Sequence, residues 1–201
     1  VETGVVEGLV YKYKSIIYIR ERIMAKSEGK QFETDVENSC KSQKIFYHRI
    51  KDVSIPPDLR TRIKIGQNKY DSLIFYNGIL FPIEFKSTGQ KSISFDPKII
   101  KPHQITNLQE AMQYEDVVAG FIFNFREYDN YTCFVHINDF IAYKNVAENQ
   151  IKEHTYKNKV NKSSISLDIC KEIGIEILNG KKKVHYFYDV KKLLDKLIKS
   201  E

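Results

Sequence analysis

The sequence lacks any apolar run approaching the roughly 18 residues of a membrane span, and its first ten residues do not have the layout of a secretory signal. A membrane-spanning or exported chain is therefore not expected, and a cytoplasmic setting is, whether a bacterial nucleoid or the host cytoplasm of a phage. Cysteine is scarce. Cys40, Cys133 and Cys170 are odd in number, widely spaced and without a CxxC pair, which fits a reducing compartment and argues against a zinc site. The histidines, His48, His103, His136, His154 and His185, show no ligand spacing either and read as ordinary polar positions.

The chain has 201 residues, of which 42% are hydrophobic, enough for one domain with a true core. The net charge of +6 favours a polyanionic partner without identifying it. Met24-Ala25-Lys26 resembles a natural start, so residues 1–26 are set apart as an N-terminal extension with no assigned function. Residues 27–201 are expected to form the single domain.

From Ser27 the spacing of Phe32, Val36 and Ser39/Cys40 predicts a helix with one buried stripe, with Glu33 and Glu37 at its margin. KIFYHRI, residues 44–50, reads as a strand. In the segment that follows, Arg60, Arg62 and Lys64 alternate with Thr61, Ile63 and Ile65, which predicts a strand with one basic face; an exposed edge protected by charge would look the same. STGQKSISFDPKIIKP reads as a loop. Residues 103–115 are expected to be a helix facing inward through Ile105, Leu108 and Met112, residues 117–125 and 131–137 strands, and NDFIAY a helix start. Residues 144–164 read as polar and exposed. DVKKLLDKLIKS closes the chain as a helix capped by Asp189 and striped by Val190, Leu193, Leu194 and Leu197. This order predicts an α/β domain, a mixed β-sheet with flanking helices.

The stretch NKYDSLIFYNGILFPIEFKST, residues 68–88, is where chemistry shows. Asn77-Gly78 is a two-residue hairpin signal. Counting outward from it sets Leu73 opposite Pro82 and Asp71 opposite Glu84, on one face, and Lys86 points the same way. Phe81, Ile83 and Phe85 point to the other. Two bare carboxylates so close repel each other. A divalent cation removes that repulsion, and hard oxygen donors suit magnesium. A surface cluster in which Lys86 neutralises two acids is the plainer alternative.

Taken in order, GKQFE, YDSLIFYNGILFPIEFKST, PHQI and GFIFNF resemble the RecU family of Holliday junction resolvases, within the PD-(D/E)XK nuclease superfamily. The similarity covers residues 29–140 and extends more loosely to about residue 195. The resemblance implies a restriction-endonuclease-like core and a homodimer that cuts four-way junction DNA with Mg²⁺ (Mn²⁺ as a substitute), leaving 5′-phosphates, with a recombinase as a further partner. Carried over by position, Asp71 and Glu84 hold the metal, Lys86 is the catalytic lysine, Glu33 completes the acidic site and Gln104 of PHQI lies beside it. The family's stalk corresponds to residues 51–67, so Arg60, Arg62 and Lys64 are expected to meet DNA. Two alternatives remain open at this point: a sequence-specific or repair endonuclease on duplex DNA, and a non-catalytic junction-binding protein.

Overall fold

The computed structural model describes residues 27–51 and 66–199. The N-terminal extension and most of the basic segment, Arg60, Arg62 and Lys64 included, lie outside these described residues. At the centre is a six-stranded mixed sheet in the order β1-β2-β3-β5-β6-β8, built from Phe46–Arg49, Ser72–Tyr76, Ile79–Thr88, Gly120–Phe125, Tyr131–His136 and Ile175–Glu176. Only β3 and β5 run parallel; the other neighbours are antiparallel. Two further pairs, β4 (Ser92–Ser94) with β7 (Ser164–Ser166) and β9 (Asn179–Lys182) with β10 (His185–Tyr188), form small separate sheets.

Helices cover both faces. On one lie α1 (residues 27–42) and α5 (Val190–Lys199), packed over Ile74, Phe81, Ile83 and Phe85. On the other lie α2 (Pro102–Ala111), α3 (Ile137–Asn149) and α4 (Leu167–Ile173), packed over Phe121, Phe123 and Phe125. The expected stripes are buried: Phe32, Val36, Ser39 and Cys40 on α1, and Val190, Leu193, Leu194 and Leu197 on α5. Lys192 N–H donates to Asp189 Oδ1 at 3.1 Å, the cap expected for α5. The three cysteines are free and buried.

The hairpin has the register read from its turn. Tyr76 pairs with Ile79 and Leu73 with Pro82, and both turn residues have positive φ, Asn77 at 49° and Gly78 at 87°. Proline in an interior strand normally leaves a ladder bond unmade. Here Leu80 N–H bonds to Asp116 O, and the β3–β5 ladder resumes only at Ile83 opposite Gly120. Pro82 falls in the gap between them, and its missing N–H matches the interruption of the ladder there. Gly120 permits the close approach of β6: a Cβ there would meet Val135 O at 2.4 Å and the Phe134 ring at 2.6 Å.

Three expectations need correction. The helix α2 stops at Ala111 and not near residue 115, closing through Met112, whose N–H bonds to Glu110 O. The segment read as a loop after the hairpin contains β4 and buries Ile93, Phe95 and Ile100, because β7 arrives from far along the chain to pair with it. Residues 144–164 are not uniformly exposed: α3 continues to Asn149, burying Ala147.

Candidate active site

Glu84 lies in β3, 1% exposed, in the register position beside Phe121 of β5. A charged carboxylate there is costly without compensation. Burial raises its pKa first, and the charge of Asp71 raises it further; Lys86 pulls the other way, leaving Glu84 pushed up to about 8. Lys86 Nζ lies 3.4 Å from Glu84 Oε2 and is itself largely buried. One amine thus stands beside two acids, and at Glu84 it offsets burial and the Asp71 charge only in part.

Asp71 sits just before β2, one residue beyond the last ladder pair, Ser72 with Ile83. It is still fixed. Its N–H donates to Ile83 O at 3.1 Å, its carbonyl accepts from Ile50 N–H at 2.9 Å, and its Oδ2 accepts from Phe85 N–H at 2.9 Å. The side chain takes the place of the acceptor that the ended strand no longer supplies, and this aims it across the hairpin at Glu84.

Gln104 comes from α2. Pro102 occupies the first helical turn, where its missing N–H is harmless, and Gln104 reaches back to cap Lys101 N–H through Oε1 at 3.1 Å. With the amide oxygen so engaged, Nε2 is left to donate to Glu84 Oε2. Thus PHQI is a helix start that delivers one amide to a buried acid.

Glu33 approaches from α1 on the opposite face of the sheet. It pairs with Arg49 of β1. Burial raises its pKa; Arg49 lowers it, Asp71 raises it and Lys86 lowers it, so Glu33 shares a field with both hairpin residues. A cavity of about 400 Å³ lies here, lined by Lys30, Glu33, Arg49, Ile50, Lys51 and Asp71. Its rim carries three cations around two acids. Arg49, Lys30 and Lys51 were not singled out from the sequence. KIFYHRI carried the only available signal, an arginine ending a strand, and its importance depends on α1 lying alongside.

The structure therefore brings together Glu33, Asp71, Glu84, Lys86 and Gln104. Arg60, Arg62 and Lys64 cannot be placed with them, being outside the described residues. Among the described residues no three His, Cys, Asp or Glu side chains converge as a ready-made metal cage. Magnesium does not need one. It is commonly held by one or two carboxylates, keeping waters and substrate phosphates for the rest. Asp71 and Glu84 are such a pair, with mutual repulsion for an ion to relieve.

No protein-family model matches the chain. Among solved structures, Archaeoglobus fulgidus Hjc, a Holliday junction resolvase from an archaeal hyperthermophile, aligns with 74% of this chain and 95% of its own, at a TM-score of 0.44 and 14% identity. A likeness that remote leaves the reading of the site to its own residues. No helix among the described residues is long and apolar enough to cross a membrane. Sequence similarity is closer elsewhere: at 55% identity over 177 residues, 88% of this chain and 90% of the relative, the chain belongs to the family of the SPbeta prophage-derived uncharacterized protein YotM of Bacillus subtilis (strain 168).

Proposed function

We propose that the chain is a magnesium-dependent endodeoxyribonuclease that resolves four-way DNA junctions by paired nicks. The observation that carries the reading is Glu84. A carboxyl in the middle of a core strand meets a lysine two residues on, an aspartate across the hairpin and a glutamine from a helix. Packing alone would be served as well or better by an apolar residue. The choice of a junction as substrate rests on the resemblance to the RecU resolvases, and a prophage-derived relative fits an enzyme encoded by phage DNA.

Asp71 and Glu84 would hold the ion, which when bound supplies charge neutralisation at the phosphate and a lower pKa for the attacking water. Gln104 fixes the orientation of Glu84 through Oε2. Lys86 is placed to offset negative charge growing on the phosphate as the water oxygen bonds to phosphorus. The bond to O3′ then breaks and O3′ takes up a proton, leaving a 3′-hydroxyl and a 5′-phosphate. Arg49 holds Glu33 at the edge of the site, and Lys30 and Lys51 attract the neighbouring phosphates. Arg60, Arg62 and Lys64, by the RecU resemblance, contact DNA near the branch point. One site per chain and two strands to cut call for two chains related by a two-fold axis, the commonest symmetric assembly.

Cleavage of a mobile four-way junction, a fork and a linear duplex, with and without Mg²⁺, tests the whole reading. The expected result is symmetric paired nicks in the junction only, dependent on Mg²⁺ and sustained by Mn²⁺. Preferential cutting of duplex at one sequence would reassign the chain to the duplex endonucleases. Tight junction binding with no cutting under any metal would make it a binding protein.

A further inference from the structure

A second cavity, of about 290 Å³, lies on the other side of α1 from the acidic site, between α1, the end of β5 and the β9–β10 hairpin. The nuclease reading makes no use of it. Phe32, Tyr186 and Tyr188 give it aromatic walls, and Tyr186 remains partly open to solvent. Most of its buried polar groups are already committed. Asp35 accepts from Gln31, from the Tyr186 N–H and from the His185 ring; Asn124 and Asn130 bond to each other and to Thr132 and Tyr188. Arg126 is different. Its guanidinium donates to Ser87 Oγ at 2.9 Å and pairs with Glu28 at 2.8 Å, but its Nε is buried with no acceptor. That Nε is closed to solvent, so an occupant of the cavity meets Arg126 through the accessible remainder of its side chain.

The lining decides what kind of occupant. Three acids, Glu28, Asp35 and Glu127, outnumber two cations, Arg126 and Lys181. That balance disfavours a free oxyanion. It favours a neutral group with both acceptors and N–H donors along one edge, able to meet Arg126 and a carboxylate together. The aromatic walls favour a flat π-face. The volume is at the low end for small-molecule sites, about 300–1,000 Å³, so the occupant is single and compact. From these constraints we infer that the cavity binds one nucleobase. Either an unpaired base of a DNA strand or a free nucleoside presents this chemistry; the strand source rests on the nuclease reading, and the pocket itself does not. Arg126 also ties the pocket to the catalytic strand, because Ser87 directly follows Lys86 and bonds onward to Asn124 Oδ1 at 2.8 Å.

Ligand-detected NMR on the full chain, without divalent metal, tests the pocket with adenosine, guanosine, cytidine and thymidine, and with ribose 5-phosphate as the sugar-phosphate control. At least one nucleoside should bind and ribose 5-phosphate should not. Tyr186→Ala should weaken binding roughly tenfold through reduced stacking, and Arg126→Lys, which keeps the charge but loses the planar guanidinium, should weaken it independently. Asp71→Asn should bind nucleosides as the wild type does. Absence of nucleoside binding, or binding that survives both pocket substitutions, overturns the inference; should one variant fail to fold, the other decides. A fluorescent adenine analogue placed unpaired beside the branch of a junction separates the sources. Quenching by the wild type and not by Tyr186→Ala identifies a strand base, whereas nucleoside binding with no change in the DNA-borne probe identifies a free nucleoside. Neither readout requires cleavage, so a chain that binds nucleosides and cuts nothing refutes the nuclease reading alone.

Discussion

Glu84 is the residue on which the proposed chemistry turns, and its titration can be followed without any substrate. In the folded, metal-free chain its carboxyl ionises near 8, against an ordinary value of 4.5, because it is buried and faces Asp71. Between those values the folded state holds a proton that the unfolded state has released. Stability therefore falls as pH rises from about 4.5 through about 8. Calorimetry of the metal-free protein across that range should show the fall, and Glu84→Gln, which cannot ionise, should flatten it. Mg²⁺ should restore stability chiefly at the alkaline end, where the ligand is already ionised. Parallel pH profiles for wild type and variant would mean that Glu84 titrates normally. Asp71, Glu84 and Lys86 were legible in the sequence because a two-residue turn fixes the register and a period of two then fixes the face. Gln104 was legible only through resemblance, since its bond to Glu84 crosses from α2 to β3. Arg49 and the buried Asp35 were not legible: their partners, Glu33 and the residues around His185, come from distant elements.

At the scale of elements, the β2–β3 hairpin is the ledge that holds the site, and its turn can be weakened apart from the chemistry. Gly78 has φ of 87°, a conformation that a side chain resists. Gly78→Ala should lower stability by about 1 kcal/mol, read as a shifted urea midpoint with an unchanged slope; no shift would show that the turn tolerates a Cβ. The long periodic elements, α1 and α5, followed directly from their stripes. Residues 165–188 were not assigned from sequence, and the reason is physical. Their strands are two to four residues long, too short to show a period, and β7 and β8 take their structure from remote partners, β4 and β6. The basic segment belongs to this scale as well. Replacing Arg60, Arg62 and Lys64 together by Ala should weaken junction binding and flatten its salt dependence, by a slope of roughly 0.9 for each phosphate that is no longer neutralised. An unchanged slope would mark the segment as a charged edge that does not meet DNA.

For the whole molecule, a sheet covered on both faces carries the acidic site at one end of its hairpin, with Glu33 arriving from one helical layer and Gln104 from the other. Cores on both sides hold the two layers to β3, so the carboxylates are positioned by the fold itself. On the proposed reading, the basic excess of the chain supplies a field that attracts DNA, while the acids themselves oppose it locally. This opposition separates binding from cutting. Single-turnover cleavage of a four-way junction in Mg²⁺, with junction affinity measured on the same samples, compares wild type with Asp71→Asn and Glu84→Gln. The account predicts that both variants lose cleavage by at least about a hundredfold, because each removes a charged ligand of the ion, while binding the junction as tightly as the wild type or more so. Cleavage by either variant at close to the wild-type rate would contradict it.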